Sequence, residues 1–513
     1  MKEWIAFLLP PATAFAGMRL NRLILGQKLN ENFGFGVRFA LGLAIGMVVF
    51  SQSILLTTLI GINASFLLAW GALLWGATEA AILSPQVVAG VKQFKFQRGH
   101  LWLLLLLPVL YSWWVFGRLA TVEGTLEFDA NAFWVFKAKM MYLDQGKNFL
   151  NVIHTTNLGY AHLDYPLLVP SLYTLTYGAV GQVWEFTNKV WPFWMVVSLC
   201  IAILSLARVW NRPKPLAVFL ILLFCFLPAT LQFIRQEGGT IPMVYCTGMT
   251  AILMVTAIAY ADEIALCAGI LLLTECANTK FEGVIFTALW GTVALIFAWR
   301  NGWIKSRLLW KTILIAAVCM FPYFCYRMAK PILHPESGWM HDATKSPSTV
   351  MHRFPQTLTL NIGNRFFTKD FFHWSTTDKD HIQYDGHWTG LGNLVNPDLS
   401  VMPWLMLFMI GLSFWKKPRH RLALGVLLAV MFVQLAILSF VISCLGVMQA
   451  DVAQVITFAS DVVGRYYYPF FTACFLGVMA IWFVDRDPVL KPVAAAIPLA
   501  APVKQKNRPK GRR

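Results

Sequence analysis

The sequence predicts an all-α polytopic membrane protein, and three observations predict it. The 513-residue chain is 58% hydrophobic and only 13% charged, about half the roughly 25% charged residues of a soluble domain. Its mean hydropathy is +0.59. Its apolar runs are long and continuous, without the alternation of a β-barrel. Backbone polar groups in lipid must be satisfied within the segment, so the spans are helical.

Twelve spans are expected, at 36–60, 62–84, 99–117, 187–210, 214–234, 240–260, 263–281, 284–299, 308–329, 401–415, 420–445 and 466–484. Several fall short of the roughly 20 residues of a straight crossing. Ahead of them, Lys2 and an apolar run from Trp4 are interrupted by Pro10-Pro11, which reads as a short or broken helix. A crossing by residues 3–17 would make a thirteenth span. The layout divides into N-terminal helices over 1–98, a core over 99–329 with an outer loop at 118–186, a second outer loop domain at 330–400, C-terminal helices over 401–484, and a basic tail over 485–513.

The net charge of +17 is spread as a membrane protein spreads it. Lys92, Lys95 and Arg98 precede the 99–117 span. Arg208, Arg212 and Lys214 follow 187–210. Arg300, Lys305, Arg307 and Lys311 follow 284–299, and Lys416, Lys417, Arg419 and Arg421 follow 401–415. With the tail Lys504–Arg513, all fall on one side if the spans are as placed, and the positive-inside rule makes that side cytoplasmic. Nucleic acid is not the expected partner. One condition holds the scheme together: Pro166–Gly181 must not cross. It is half to three-quarters of a span long and opens on proline, which suits a re-entrant or interfacial helix.

The nine cysteines lie in or beside apolar runs with no CxxC pair. They read as small packing residues, not as a disulfide framework or a zinc site. No P-loop occurs. The large polar regions, 118–186 and 330–400, are expected outside, away from nucleotides.

Glu127 and Asp129 alternate across one residue, so in an extended segment both side chains point one way. Such a pair can bind a divalent cation, Mg or Mn, or one acid can act as a base tuned by the other. Equally, Asp129 can cap the helix Ala130–Leu143. That helix carries Phe133, Trp134, Phe136, Met140 and Met141 beside Lys137 and Lys139, and is expected to lie along the membrane surface. Its lysines either meet a lipid phosphate or snorkel. His162, Asp164 and Tyr165 either orient a substrate hydroxyl or end a loop.

Glu275, Asn278, Thr279, Lys280 and Glu282 cluster at the outer end of one span, where charge is costly and usually faces a cavity. Lys280 suits an anionic group; the alternative is an ion pair with Glu275 or Glu282. Arg465 and Tyr466 open the last span in Asp461-Val-Val-Gly-Arg465-Tyr466-Tyr467-Tyr468-Pro469. The guanidinium can fork onto a phosphate, or pair with Asp461. The 330–400 loop holds His334, His341, His352, His373, His381 and His387 without tight metal-ligand spacing. Its Trp339, Trp374, Trp388 and Tyr384 can stack on sugars.

An acidic pair after an early span, an outer loop with surface helices, Lys280-Phe281-Glu282-Gly283 and Arg465–Pro469 together resemble the GT-C superfamily of membrane glycosyltransferases. The nearest likeness is to bacterial relatives of protein O-mannosyltransferases and lipid A aminoarabinose transferases. The chain departs from them in its extra N-terminal spans and its long 330–400 insertion. The resemblance implies a sugar on a polyprenyl phosphate in the outer leaflet of the cytoplasmic membrane. It implies a glycan, lipid or protein acceptor and inversion at the anomeric carbon. Asp129 would be the base or would help bind a metal, with Glu127 its partner. Lys280 and Arg465, with Lys137 or Lys139, would stabilise the leaving phosphate. Two other readings use the same lipid-linked substrates. A flippase predicts matched halves and a midplane site. An O-antigen ligase or polymerase puts the chemistry in 330–400.

Overall fold

A computed structural model describes residues 2–26, 33–93, 107, 110–111, 114–115, 130–144, 149, 151, 165–209, 214–225, 227–235, 238–329, 347–366, 373–378, 381–385, 402–416, 420–448 and 464–483. The architecture is helical. Among the described residues, seven helices are long and apolar enough to cross a membrane, as expected for a polytopic membrane protein. They lie in Phe35–Leu59, Ser65–Pro85, Glu185–Leu206, Thr240–Tyr260, Phe281–Arg300, Arg307–Met328 and Arg421–Cys444, with shorter apolar helices at Met402–Lys416 and Tyr467–Trp482. Among the described residues, one antiparallel hairpin, β1 (His373–Asp378) with β2 (His381–Asp385), departs from the helical pattern.

The N-terminus overturns the expectation of a broken helix. Helix α1 (Lys2–Leu25) runs unbroken through Pro10 and Pro11. Proline cannot donate to the carbonyl four residues back, so Pro11 leaves Phe7 without its helical donor. The Trp194 indole takes that place, donating to the Phe7 carbonyl at 2.9 Å. Helix α1 packs antiparallel on α2 (Phe35–Leu59) at backbone distance. A Cβ on Gly17 would stand 1.9 Å from the Gly42 carbonyl oxygen, and one on Gly46 would stand 2.4 Å from that of Thr13. Small residues permit such an approach, which dispersion then stabilises in lipid. Helix α3 (Ser65–Gln93) closes on the other side, with Gly76 against Ala12.

Polar contacts mark two ends of the bundle. At one, Lys2 Nζ donates to Gln182 Oε1 at 2.9 Å and Asn63 Nδ2 donates to the Tyr142 carbonyl at 3.0 Å. At the other, the basic end, Lys311 Nζ donates to the Leu23 carbonyl at 2.8 Å and the Gly36 amide donates to Ser205 Oγ at 3.2 Å.

After a π-helical turn (Ala130–Val135), α4 (Phe136–Leu143) packs one face on the bundle and leaves the other partly exposed. It buries Lys137, Ala138 and Met141 against α5 (Leu168–Val180), whose Thr174 hydroxyl approaches the Ala138 carbonyl at 3.2 Å. Helix α5 is 13 residues long, too short to cross, and every residue in it is buried. It is therefore an internal short helix and not an interfacial one. Gly181 at φ 79° ends it.

Helix α6 (Val190–Val209) follows. The expected 214–234 span is two pieces, α7 (Lys214–Cys225) and α8 (Pro228–Arg235), because Pro228 cannot continue the hydrogen-bond ladder. The centre is α9 (Thr240–Tyr260) and α10 (Glu263–Thr279), apolar all round and buried almost throughout. Asp262 caps α10, accepting from the Ile264 and Ala265 amides. Beside them α16 (Gly464–Phe483) is buried from Tyr467 to Ile481, and outside stand α11 (Phe281–Arg300), α12 (Arg307–Ala329), α13 (Pro347–Phe366), α14 (Met402–Lys416) and α15 (Arg421–Met448). Leu67, Trp299, Leu314 and Phe432 project outward. Such an apolar exterior suits lipid and would aggregate in water. One hydrophobic cluster runs from Leu9 to Ile481, so the N-terminal helices belong to the same core. All nine cysteines are free.

Candidate functional site

The α10–α11 connection is a turn between two apolar helices, yet it is buried. Asn278 and Thr279 are fully enclosed and Lys280 is only 6% exposed. Lys280 is extended (φ −147°, ψ 162°), and its carbonyl accepts from the Gly283 amide at 3.0 Å. Gly283 makes the turn possible, since a Cβ there would lie 1.9 Å from the Cys276 carbonyl oxygen.

Two other segments meet this turn. Gly239 caps α9, and a Cβ built on it would stand 3.1 Å from both Lys280 Cε and Trp134 Cζ2. Glycine at 239 thus lets the Lys280 stem and the indole close over the N-terminus of a 21-residue helix. Trp134 belongs to the π-helical turn, a feature that re-aims side chains and is frequent at functional sites. Lys137, one step further, is 1% exposed. Its ammonium lies 5.7 Å from the ring centroids of both Trp134 and Tyr165, within cation–π range. The two rings are 5.8 Å apart, and Phe133 meets Tyr165 edge-on.

Lys137, Tyr165 and Lys280 are therefore gathered around Trp134 and Gly239. Two buried lysines and the N-terminus of a long helix thus stand close together. Lys139 is not among them. It points to the α6 side and forms an ion pair with Glu185, both partly exposed.

Neither Glu275 oxygen nor Glu282 Oε2 has a hydrogen-bond partner. The Glu282 carbonyl accepts from Gln434 of α15 at 3.2 Å, tying that helix to the site. Among the described residues, no group of three or more His, Cys, Asp or Glu could hold a metal.

Glu127, Asp129, His162 and Asp164 lie outside the described residues. So do the side chains of Arg465 and Tyr466, whose backbone forms the first turn of α16. The residues just after them anchor that helix. Tyr468 and Thr230 share a hydrogen bond, Tyr467 and Ser439 are 3.2 Å apart, and Thr247 donates to the Pro469 carbonyl at 3.2 Å.

Sequence reasoning missed Gly239 and undervalued Trp134. The available signal for the first was the Gly238-Gly239 pair just before an apolar run. It also missed Lys189, buried at the start of α6 beside Asn188, which donates to the Tyr177 hydroxyl at 3.1 Å. A scan of family models and searches of curated proteins and solved structures give no match to this chain.

Proposed function

We propose that the protein is a membrane glycosyltransferase that moves a sugar from a polyprenyl phosphate to an acceptor hydroxyl on the outer face of the cytoplasmic membrane. In this reading the chain crosses about twelve times. The observation that carries it is the convergence of buried Lys137 and Lys280 on Trp134 and Gly239.

An amphiphile with a phosphate head suits that cluster. The lysines and the α9 N-terminus would hold the phosphate, and the apolar flanks of the bundle would take the prenyl chain. The acceptor oxygen attacks the anomeric carbon from the face opposite the phosphate. The bond from that carbon to the phosphate oxygen breaks and its electron pair leaves on the phosphate. Configuration inverts. The acceptor proton passes to a carboxylate, which the GT-C resemblance assigns to Asp129. Charge grows on the phosphate as the bond breaks, so preorganised cations there lower the barrier. If the acid pair Glu127 and Asp129 holds Mg or Mn, the ion would supply further charge stabilisation.

The test is incubation of the purified protein with a panel of radiolabelled polyprenyl-phosphate sugars and membrane acceptors. Label should move to an acceptor, and Asp129→Asn should stop the transfer while the protein stays folded in membranes. Unchanged turnover in that variant rejects the base role. Absence of transfer from every donor, together with donor movement between leaflets, replaces the transferase by a flippase.

A further inference from the structure

The turn between α11 and α12 concentrates positive charge at the basic end of the bundle. Arg300 closes α11, Lys305 closes the single 3-10 turn Trp303–Lys305, and Arg307 opens α12. No Asp or Glu occurs between Glu282 and Glu336. Arg300, Lys305 and Arg307 are all exposed, and among the described residues none of the three is in an ion pair. Two basic residues between α14 and α15 are differently engaged. Lys416 lies over the Trp415 ring at 5.5 Å, and Arg421 Nε donates to the Phe414 carbonyl at 3.0 Å.

The backbone beneath the three charges is held in place. Gly302 takes φ 74°, which lets the chain reverse, and its amide donates to the Trp299 carbonyl at 3.0 Å. Ser306 Oγ accepts from the Leu308 amide at 3.1 Å and so caps α12. The Trp310 indole donates to the Ile304 carbonyl at 2.7 Å, across the turn. A partner settling on a turn already ordered in this way has little ordering left to oppose it. The same turn carries apolar surface. The N–H of Trp310 is taken up by Ile304, so its ring, 55% exposed, offers carbon to its surroundings, and Trp299 and Ile304 beside it are exposed as well. Tryptophan is enriched at the head-group level of a bilayer.

We infer that the α11–α12 turn docks on the head groups of anionic membrane phospholipid. The lipid phosphates meet Arg300, Lys305 and Arg307, while Trp299, Ile304 and Trp310 lie at the boundary with the acyl chains. Basic segments beside membrane helices attract anionic lipid electrostatically, and a phosphate oxygen pair matches a guanidinium fork. Inorganic phosphate or a soluble polyanion would meet the charges alone and leave the apolar side chains in water. Helix α11 runs 20 residues from Phe281, next to Lys280, to Arg300. That length is roughly 30 Å, so the turn and the Lys137–Lys280 cluster are separate sites.

The test uses the full-length protein in neutral detergent, offered phosphatidylglycerol and phosphatidylcholine of the same acyl length. Native mass spectrometry should show about fivefold more phosphatidylglycerol retained. Arg300→Gln with Arg307→Gln should remove most of that preference, and adding Lys305→Gln should abolish it. All three positions are exposed, so Tm should stay at the wild-type value in both variants. Lys416→Gln with Arg421→Gln removes as much charge as the double variant and should keep the preference. Excess inorganic phosphate should leave the retained phosphatidylglycerol in place. Equal retention of the two lipids by the wild type overturns the inference, as does a preference that survives in the triple variant. Equal loss in the Lys416 and Arg421 variant overturns it too, by tracing the preference to net charge. Displacement by inorganic phosphate overturns it by showing a site for a free ion.

Discussion

The indole of Trp194 donates to the carbonyl of Phe7 at 2.9 Å, in the place of the amide that Pro11 lacks. A helix-breaking pair at the N-terminus is thereby accommodated in a continuous helix, and α1 is locked to α6. Phe7 also packs its ring on Phe193 and Trp194, at 5.5 and 5.3 Å between centroids. Trp194→Phe should keep the packing and leave the carbonyl unsatisfied, costing about 1–3 kcal/mol. In a Pro11→Ala background, where the substituted residue supplies its own backbone amide, the same change should cost less. Thermal unfolding of the four proteins in detergent measures the coupling, and additive losses would contradict the assignment.

Lys137 and Lys139 are two residues apart and have different surroundings, one enclosed by Trp134 and Tyr165, the other paired with Glu185. Lys137→Met and Lys280→Met should each lower the transfer rate by about 10²–10³-fold, as loss of one group stabilising developing charge does. Lys139→Met should lower it by far less, because an exposed ion pair contributes only about 0–1 kcal/mol. Single-turnover rates with a saturating lipid-linked donor separate the three variants, with Tm as the control for folding.

Gly283 sits against the Cys276 carbonyl where a Cβ would be 1.9 Å away. The neighbour is backbone, so it cannot swing aside. Gly283→Ala should therefore force α10 and α11 apart at their turn, costing about 1–3 kcal/mol and moving Lys280. A drop in Tm accompanied by weaker donor binding is the expected result. An unchanged Tm would show the turn to be more yielding than its geometry indicates.

Glu275 is wholly buried, with both carboxylate oxygens lacking partners. A neutral amide of the same shape removes the cost of enclosing a charge. Glu275→Gln is expected to unfold at the same temperature as the wild type or higher, whereas Glu275→Lys should fail to accumulate in membranes. A marked fall in Tm for the Gln variant would mean that the carboxyl is held by an interaction the amide cannot make.

Much of the architecture was legible because lipid leaves few choices. The seven long apolar helices coincide with runs picked from hydropathy, and the short α5 was identified from its length and its opening proline. The misreadings came where a distant residue overrides a local rule. Pro10-Pro11 looks like a break because the Trp194 indole is some 180 residues away in sequence. In the helix after Ala130 the two lysines look alike, and only the packing on α5 shows which one is enclosed.

The sequence by itself determined the class of the protein and the helical form of its spans. Each follows from the cost of placing charge or unsatisfied backbone in hydrocarbon, a property of local composition. Tertiary structure alone decided that Lys137 joins Lys280 while Lys139 turns away, and that Trp134 and Gly239 form the surface between them. Those relations depend on where a π-helical turn, an α9 N-terminus and an α10–α11 break meet. Trp134 lies more than a hundred residues before Gly239 and Lys280 and meets them through packing, which leaves no periodic signature in the chain.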